Sequence, residues 1–479
     1  MVMSAGCALR IDHHAASVRG EFTVGAKDRL RFAITACSRH DLPLKALLPR
    51  TIDARIESTK IWWQSFTRKS RRVGINDPTE LRSALTLKLL TCGPTGAIVA
   101  AATTSLPEAI GGQRNWDYRY SWIRDATMAL YAMFTVGHPE VATGFKRFIE
   151  TATAGRPEKL QIMYGCYGER RLTEHVIDGL SGYRDSRPVR VGNGAATQSQ
   201  LDVYGELLGA ANLWRLAGSE MTDDGWRSIK GLVDLACVRW REPDHGLWEM
   251  RGELQHFVYS KAMCWLAVSR GIALAEAQGV HEEIDRWRAV RDEIHQSIDT
   301  HGIDPKRGCY VQSYGSTALD ASLLRLPILG FIPIDEPRAQ ATIAAVREDL
   351  SVGSLLRRYR PEETDDGVSG GEGSFLMASF WLVDVLVMSG KLDEAESLYR
   401  ELTALSNDVG LFAEQYDAVA QEQLGNFPQA FTHISQIMAA EQIRRCRAGG
   451  DRTAPIAMRL GSIAAAATQH HTASKRTRR

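Results

Sequence analysis

The loop at residues 243–251 places a carboxylate directly beside an aromatic ring. It reads PDHGLWEMR, so that Glu249 follows Trp248. An apolar ring disfavours the ionised form of a neighbouring carboxyl group, and a general acid must stay protonated near neutral pH. The alternative, favoured by the local residues, is a surface loop in which Glu249 pairs with Arg251. The loop alone therefore makes Glu249 a candidate general acid and no more.

A second loop, residues 407–417, holds another carboxylate among aromatic residues. It reads NDVGLFAEQYD, with Glu414 two residues before Tyr416. A hydrogen bond from Tyr416 would keep Glu414 ionised, as a general base requires. A solvated turn is the simpler interpretation when this loop is taken alone. Glu414 is thus a candidate general base.

The segment at residues 115–125, NWDYRYSWIRD, carries four aromatic and four charged residues among eleven. A core helix would not tolerate that charge, and a solvated face would not select those rings. A sugar site uses both, because rings pack on the apolar face of a sugar and charged groups bond its hydroxyls. Arg124 and Asp125 set a donor fork and an acceptor pair side by side, although a helix-capping ion pair is the alternative. The segment indicates a carbohydrate site.

Helical periodicity begins at residue 77 and supplies the elements that must position these groups. Asp77-Pro78-Thr79-Glu80 is a helix-start signal, and Leu81, Leu85 and Leu89 then follow at a spacing of four. Counted along the chain, the pattern predicts twelve helices, at 79–92, 119–136, 140–154, 197–217, 222–239, 260–278, 283–299, 316–326, 337–350, 374–389, 391–406 and 427–442.

Twelve helices without a matching set of strands predict six helical hairpins, either stacked openly or closed in a ring. Periodicity does not distinguish the two arrangements. No repeat near 34 residues recurs, which disfavours a regular solenoid. The long segments between helices are polar and aromatic, and long loops in a compact domain are usually functional. A helical ring with these loops at one end would form a cup.

The two ends of the chain differ from this helical region. Short runs with β-branched residues, at Ser17–Arg19, Gly20–Val24 and Leu30–Ala36, predict a small β region. The C-terminal end is basic and closes with SKRTRR. We therefore predict a β-rich region and linker at 1–75, a helical domain at 76–445 and a disordered basic tail at 446–479.

Composition narrows the classes of partner. The 479 residues are 44% hydrophobic and 24% charged, and a net charge of +1 gives no reason to expect a polyanionic partner such as nucleic acid. The eight cysteines form no C-x-x-C pair or zinc-binding spacing, so we expect free thiols in a cytoplasmic protein and no metal or other cofactor. No leader and no membrane span of about 20 apolar residues are evident. We expect a neutral small-molecule partner, no membrane partner, and an unknown oligomeric state.

Seven motifs resemble glycoside hydrolase family 15, which includes glucoamylases, glucodextranases and a bacterial trehalase branch. They occur in the family's order from about residue 77 to 442. The motifs are GGQRNWDYRYSWIRDA (111–126), RPVRVGNGAATQSQLDVYGE (187–206), DHGLWEMRG (244–252), SYGSTALDASLL (313–324), GGEGSFLMASFWLVD (370–384), NDVGLFAEQYD (407–417) and LGNFPQAFTHI (424–434). The resemblance implies an (α/α)6 barrel, mainly α in class and preceded by a short, incomplete β-sandwich region.

The resemblance also implies roles for nine residues. The glutamate of the LWE motif is the general acid and the first glutamate of EQYD the general base, which correspond to Glu249 and Glu414. Substrate-binding positions implied in the same way are Tyr118, Arg124, Asp125, Trp248, Arg358, Tyr359 and Glu372. The reaction implied is exo-acting hydrolysis of an α-glucoside with inversion, which releases β-glucose.

Three alternatives stay open for the substrate and for activity itself. Trehalose comes first, because the sequences NWDYRY, SYGSTALD and LGNFPQAF are similar to those of the trehalase-like branch. Maltose-type or dextran-type oligosaccharides come second. An inactive helical scaffold that binds sugar or protein is the third, because about 75 residues precede the helices where bacterial members of the family carry a complete β-sandwich.

Overall fold

The computed structural model describes residues 2–5, 7–14, 17–35, 47–153, 155–216, 218–364, 366–368 and 370–463. The chain divides into two compact units, Met1–Arg71 and Arg72–Arg479. This division lies four residues before the boundary that the sequence predicts between 75 and 76. All the residues discussed below as a candidate site belong to the second unit.

The first unit contains two antiparallel strand pairs and one long helix. Strand β1 pairs with β4 and β2 pairs with β3; their bounds are Val2–Ala5 (β1), Arg10–Asp12 (β2), Ser17–Arg19 (β3) and Phe32–Thr35 (β4). The predicted strand at 20–24 is wrong, because these exposed residues have no partner strand. The interpretation of the strand pairs as an incomplete sandwich stays a prediction.

Helix α1, Pro49–Arg72, is absent from the sequence-based prediction. Its 24 residues are rich in charge, and the buried ones are Ile52, Phe66 and Ser70. Apolar residues recur along it at helical spacing, but the segment is strongly charged, and the sequence analysis assigned it to the linker. The predicted linker is therefore helical along much of its length.

In the second unit, the described residues contain twelve α-helices that correspond to the twelve predicted. Their bounds are Pro78–Leu89 (α2), Ile123–Thr135 (α3), Glu140–Thr153 (α4), Asp202–Leu216 (α5), Asp223–Arg239 (α6), Val258–Gln278 (α7), Ile284–His301 (α8), Arg325–Leu329 (α9), Pro337–Leu350 (α10), Leu376–Met388 (α11), Leu392–Thr403 (α12) and Ala430–Arg447 (α13). The start signal at Asp77 is confirmed, because its side chain accepts hydrogen bonds from the backbone N–H groups of Thr79 and Glu80.

Alternate helices form a closed inner ring. In chain order α3, α5, α7, α9, α11 and α13 each contact the next, and α13 returns to contact α3. All of α11 is buried, whereas the outer helix α12 buries a stripe of three residues. A helix that is apolar all round belongs inside, and an amphipathic one belongs at the surface. The fold is an (α/α)6 barrel, as the motifs imply, and the open stack is excluded.

Helix α9 departs from its prediction at 316–326. A 3-10 turn, Ala321–Leu324, precedes its five residues, and the side chain of Asp320 accepts a hydrogen bond from the N–H of Ser322. Gly330 then ends the helix with a left-handed φ of 82°. The α-helix therefore begins nine residues later than predicted, because the capping aspartate starts a 3-10 turn first.

Short strands in the second unit connect the loops between helices. They are Ser121–Trp122 (β5), Met163–Tyr164 (β6), His175–Val176 (β7), Arg190–Val191 (β8), Ser351–Val352 (β9), Leu355–Leu356 (β10), Ser374–Phe375 (β11), Gln415–Asp417 (β12) and Glu422–Leu424 (β13). The pairs β5–β6, β7–β8 and β9–β10 are antiparallel, and β12 lies between β11 and β13. Strand β5 ends at the start of α3, and β12 begins immediately after Glu414, so both position candidate site residues.

The predicted disordered tail is wrong for residues 446–463. Helix α13 runs to Arg447, and a further helical stretch follows at 456–463. There the buried guanidinium of Arg459 pairs with Glu441 at 2.8 Å and donates to Gln442 at 2.6 Å. Residues 464–479 lie outside the described residues. Among the described helices, none is long and apolar enough to cross a membrane.

Candidate active site

A cleft of about 700 Å³ opens at the N-terminal ends of the inner helices. Arg124 and Asp125 reach it from the first turn of α3, Phe375 precedes α11, and Phe431 lies in the first turn of α13. The cleft brings together eight of the nine predicted site residues, namely Tyr118, Arg124, Asp125, Trp248, Glu249, Arg358, Tyr359 and Glu414. The ninth, Glu372, is buried behind Arg358, which binds it through two nitrogens at 2.6–3.0 Å.

Two donors from the start of α3 hold the carboxylate of Glu249. The indole N–H of Trp122 donates to Oε1 at 2.7 Å, and Nη2 of Arg124 donates to the same oxygen at 3.2 Å. The backbone of Glu249 is left-handed, with φ at 61°. That conformation costs a non-glycine residue about 1–3 kcal/mol and is often found at functional sites. The loop is thus held in a strained turn that presents Glu249 to the cleft.

The ring beside Glu249 in sequence is not the ring that bonds it. Trp248 packs edge-on against Phe375 and Tyr359, with ring centroids 5.4 and 6.5 Å apart, and so forms part of the cleft wall. The local alternative for this loop, a Glu249–Arg251 pair, is also wrong. Glu249 pairs with Arg124, and Arg251 pairs with Glu174 at 2.9 Å.

Glu414 lies at the bottom of the cleft with 3% of its surface exposed. The hydroxyl of Tyr118 donates to its Oε1 at 3.1 Å. The expectation that Tyr416 supplies this bond is wrong, because Tyr416 lies in β12, opposite Ser374, and among the described contacts it makes no hydrogen bond to Glu414. The rings of Tyr118 and Trp122 pack edge to face with centroids 5.6 Å apart. Each member of this aromatic pair therefore donates a hydrogen bond to one of the two predicted catalytic carboxylates.

Arg124 and Asp125 form a buried ion pair with little freedom. The Nε of Arg124 donates to Asp125 at 3.0 Å, its Nη1 donates to the carbonyl of Leu247 at 2.6 Å, and its guanidinium lies 4.9 Å from the ring of Phe431. Burial raises the pKa of Asp125 to about 7, although the charge of Arg124 opposes that shift. The ion pair between Arg124 and Asp125, which the sequence analysis gave as the alternative, is therefore confirmed. The same pair also lines the cleft.

Glu108 is a further carboxylate that lines the cleft, and the sequence analysis missed it. It is 1% exposed, and its nearest cation is Nη2 of Arg358 at 3.5 Å. Burial raises the pKa of Glu108 to about 7. The pKa of Glu414 lies well above its usual range because of burial and, next, the charge of Glu108. A usable signal existed, because Glu108 is the one charged residue between positions 97 and 110.

Comparison with protein families and curated proteins agrees with the motifs. Residues 75–441 match the family model of glycosyl hydrolases family 15. The trehalase of Mycolicibacterium smegmatis is 47% identical over 373 residues, which are 77% of this chain and 56% of that protein. The trehalase of Thermoplasma acidophilum is 39% identical over 390 residues, covering 81% of this chain and 66% of that protein. The chain thus spans a little over half the length of the mycobacterial relative.

Solved structures agree in fold. A bacterial glucoamylase complexed with acarbose matches with a TM-score of 0.60 at 16% identity, over 79% of this chain and 57% of that one. A glycosidase in complex with glucose matches with a TM-score of 0.59 at 17% identity, over 76% and 96%. The family match contains every residue of the cleft, from Ala100 to Phe431. The resemblance is therefore confirmed, while the roles of individual residues stay predictions: the chain belongs to glycosyl hydrolases family 15.

Proposed function

We propose that this chain hydrolyses trehalose to glucose. The observation that carries the proposal is the meeting of Glu249 and Glu414 in one cleft with the Arg124–Asp125 pair. Relatives named trehalase, at 47% and 39% identity, support the choice of substrate. A nonreducing glucosyl unit would occupy the inner end of the cleft, with its hydroxyls bonded by Arg124 and Asp125.

Glu249 acts as the general acid in this proposal. Both described hydrogen bonds to its carboxylate fall on Oε1, so Oε2 is the oxygen that delivers the proton to the glycosidic oxygen. Arg124 also pairs with Asp125 at 3.0 Å, so that one guanidinium contacts both carboxylates. Protonation turns the departing sugar oxygen into a hydroxyl as the C–O bond breaks.

Glu414 acts as the general base. Tyr118 holds its Oε1, and its Oε2 has no hydrogen-bond partner among the described residues. Oε2 takes a proton from a water molecule as the water oxygen bonds to the anomeric carbon from the face opposite the departing oxygen. The configuration at that carbon inverts, as when two carboxyl groups about 6.5–9.5 Å apart leave room for water. No metal or cofactor enters these steps, and that expectation stays a prediction.

The product anomers of trehalose test the proposal. Both glucose units of trehalose are α-linked. Inversion therefore yields one molecule of β-glucose and one of α-glucose per turnover, whereas retention yields two molecules of α-glucose. We expect proton NMR during the first minutes to show equal α and β signals before mutarotation. Release of glucose from trehalose should exceed release from maltose, isomaltose or starch. A product that is initially all α would refute inversion.

A glucoamylase-type activity on maltose or isomaltose is the second candidate. The likeness to a bacterial glucoamylase supports it, but at 16% identity this likeness concerns the fold alone. Faster glucose release from maltose or isomaltose than from trehalose would favour this candidate. If none of these sugars is hydrolysed, the inactive scaffold becomes the better description.

The pH dependence of activity should depend on Glu108. Since the base must be ionised and its pKa is raised, kcat/KM should increase as pH rises through the pKa of Glu414. Glu108→Gln removes the neighbouring charge that contributes to this shift, so the acidic limb of the pH profile should move to lower pH. In the unchanged protein and in Glu108→Gln alike, the charge of Arg358 lowers the pKa of Glu414 and the charge of Glu372 raises it.

Glu293→Gln is the matched control for this change. Glu293 is a half-exposed carboxylate that pairs with Arg241 outside the cleft. Its pH profile should equal that of the unchanged protein, measured with the same substrate and buffers. An acidic limb that stays in place in Glu108→Gln would show that Glu108 does not influence the base.

We also propose that the chain works in the cytoplasm. Free thiols support this location, because the seven cysteines that the structure describes are all unpaired; Cys37 lies outside the described residues. Reducing compartments keep thiols in that state. Fractionation of the source cells tests the proposal, and recovery of the protein outside the cytoplasmic fraction would refute it.

A further inference from the structure

The cleft is buried at one end and exposed at the other. Arg124, Asp125 and Glu414 are at most 5% exposed, whereas the side chain of Arg251 is 33% exposed. A cleft closed at one end admits a sugar end first, so that the unit released by water attack occupies the inner end. On the proposed function, the leaving glucose unit then occupies the outer end. The inference below rests on that proposal.

A cluster of four side chains lies at this outer end, which we call the rim cluster: Trp116, Glu174, Arg190 and Arg251. The guanidinium carbons of Arg251 and Arg190 lie 4.3 and 4.5 Å from the ring centre of Trp116. Glu174 pairs with both arginines, at 2.9 Å to Arg251 and 3.4 Å to Arg190. Trp116 and Arg251 line the cleft itself.

The rim cluster is tied to backbone on several sides. Arg190 donates to the carbonyl oxygens of Gln113 and Asn115 at 2.8 and 3.0 Å, and the N–H of Gly194 donates to Glu174 at 3.0 Å. The backbone N–H of Arg251 donates to the carbonyl of Asp366 at 2.9 Å. An arginine held this way loses little rotational freedom when it binds a ligand.

We propose that Arg251 hydrogen-bonds the hydroxyls of the leaving glucose unit and thereby selects disaccharides over other α-glucosides. A guanidinium carries five N–H donors, so pairing with Glu174 leaves donors for a sugar. Arg251 follows the proposed acid Glu249 by two residues on one loop, and both residues line the cleft. Trp116 and Glu174 act as positioning residues that set the plane of the guanidinium.

The test compares two substrates that share the inner glucosyl unit. The leaving group of trehalose is a glucose unit, whereas that of α-glucosyl fluoride is a fluoride ion, which offers no hydroxyls to Arg251. Arg251→Met should lower kcat/KM for trehalose by about 10- to 100-fold, as expected for the loss of charge-assisted hydrogen bonds, and leave kcat/KM for the fluoride within about twofold. Arg251→Lys keeps the positive charge but loses the planar fork of N–H donors. Its kcat/KM for trehalose should lie between that of Arg251→Met and that of the unchanged protein.

Arg241→Met is the matched control, because Arg241 also stacks on a tryptophan and pairs with a glutamate. Its guanidinium carbon lies 4.6 Å from the ring centre of Trp240, and it pairs with Glu293 outside the cleft. This variant should leave both substrates unaffected. Thermal melting of all variants shows whether each is folded.

Equal losses on trehalose and fluoride in a folded Arg251→Met would overturn the inference, and so would no loss on either. The proposed function fails separately, if the unchanged protein prefers maltose or isomaltose to trehalose. In that case the preferred disaccharide replaces trehalose in the comparison with the fluoride. A protein that turns over the fluoride but no disaccharide would refute both.

Discussion

Glu249→Gln is expected to reduce kcat for trehalose by about 100- to 10,000-fold while changing KM little, since positioned general acids contribute rate factors of that order. Glutamine keeps the shape of the side chain and can still bond Trp122 and Arg124, but it has no acidic proton for the departing oxygen. Steady-state kinetics on trehalose measure the loss, and equilibrium binding of trehalose to the variant should be close to that of the unchanged protein.

The same variant should retain most of its activity on α-glucosyl fluoride. Fluoride leaves readily without protonation, so removing an acid affects it less than it affects a sugar leaving group. Glu253→Gln, an exposed glutamate four residues further along the same loop, is the matched control and should behave as the unchanged protein. Unchanged trehalose turnover in Glu249→Gln would remove Glu249 from the acid role.

Glu414→Gln should abolish turnover of both substrates to a similar degree, by about 100- to 10,000-fold in kcat. The base acts on the attacking water, and every leaving group requires that water. The contrast between the two variants on the fluoride therefore separates the acid from the base without reference to their positions in the fold. Single-substrate kinetics with trehalose and with the fluoride provide the measurement.

Glu422→Gln serves as the control for Glu414. Glu422 lies in β13, which pairs with the strand that begins immediately after Glu414. Its carboxylate pairs with Arg184. Its kinetics should match those of the unchanged protein. Fluoride hydrolysis that survives in Glu414→Gln would contradict the assignment, and Glu108, a carboxylate that lines the same cleft and whose charge acts on Glu414, would become the candidate base.

Local signals predicted the helices well where burial and capping agree. Helix α10 begins and ends at the predicted residues, 337 and 350, and α2 begins at Pro78, one residue before its predicted start and directly after the capping Asp77. Helix α1 was assigned to the linker, because its sequence is strongly charged and most of its residues are exposed.

Local signals failed for the partners of the site residues. The hydroxyl that reaches Glu414 comes from Tyr118, 296 residues earlier, and the indole that reaches Glu249 comes from Trp122, 127 residues earlier. A local pattern could offer only neighbours in sequence as partners, namely Tyr416 for Glu414 and Trp248 or Arg251 for Glu249. Motif resemblance selected two carboxylates that line one cleft, but it carried no information about which side chains hold them.

The sequence by itself determined the number and order of the barrel helices, the family, and the two carboxylates proposed as acid and base. Only the tertiary structure decided that α13 returns to α3 to close the ring, that Glu108 lies near Glu414, and that Arg251 lies on Trp116 at the outer end of the cleft. The physical reason is that periodicity reports which face of a helix is buried, whereas charge coupling and hydrogen bonding depend on distances between segments hundreds of residues apart.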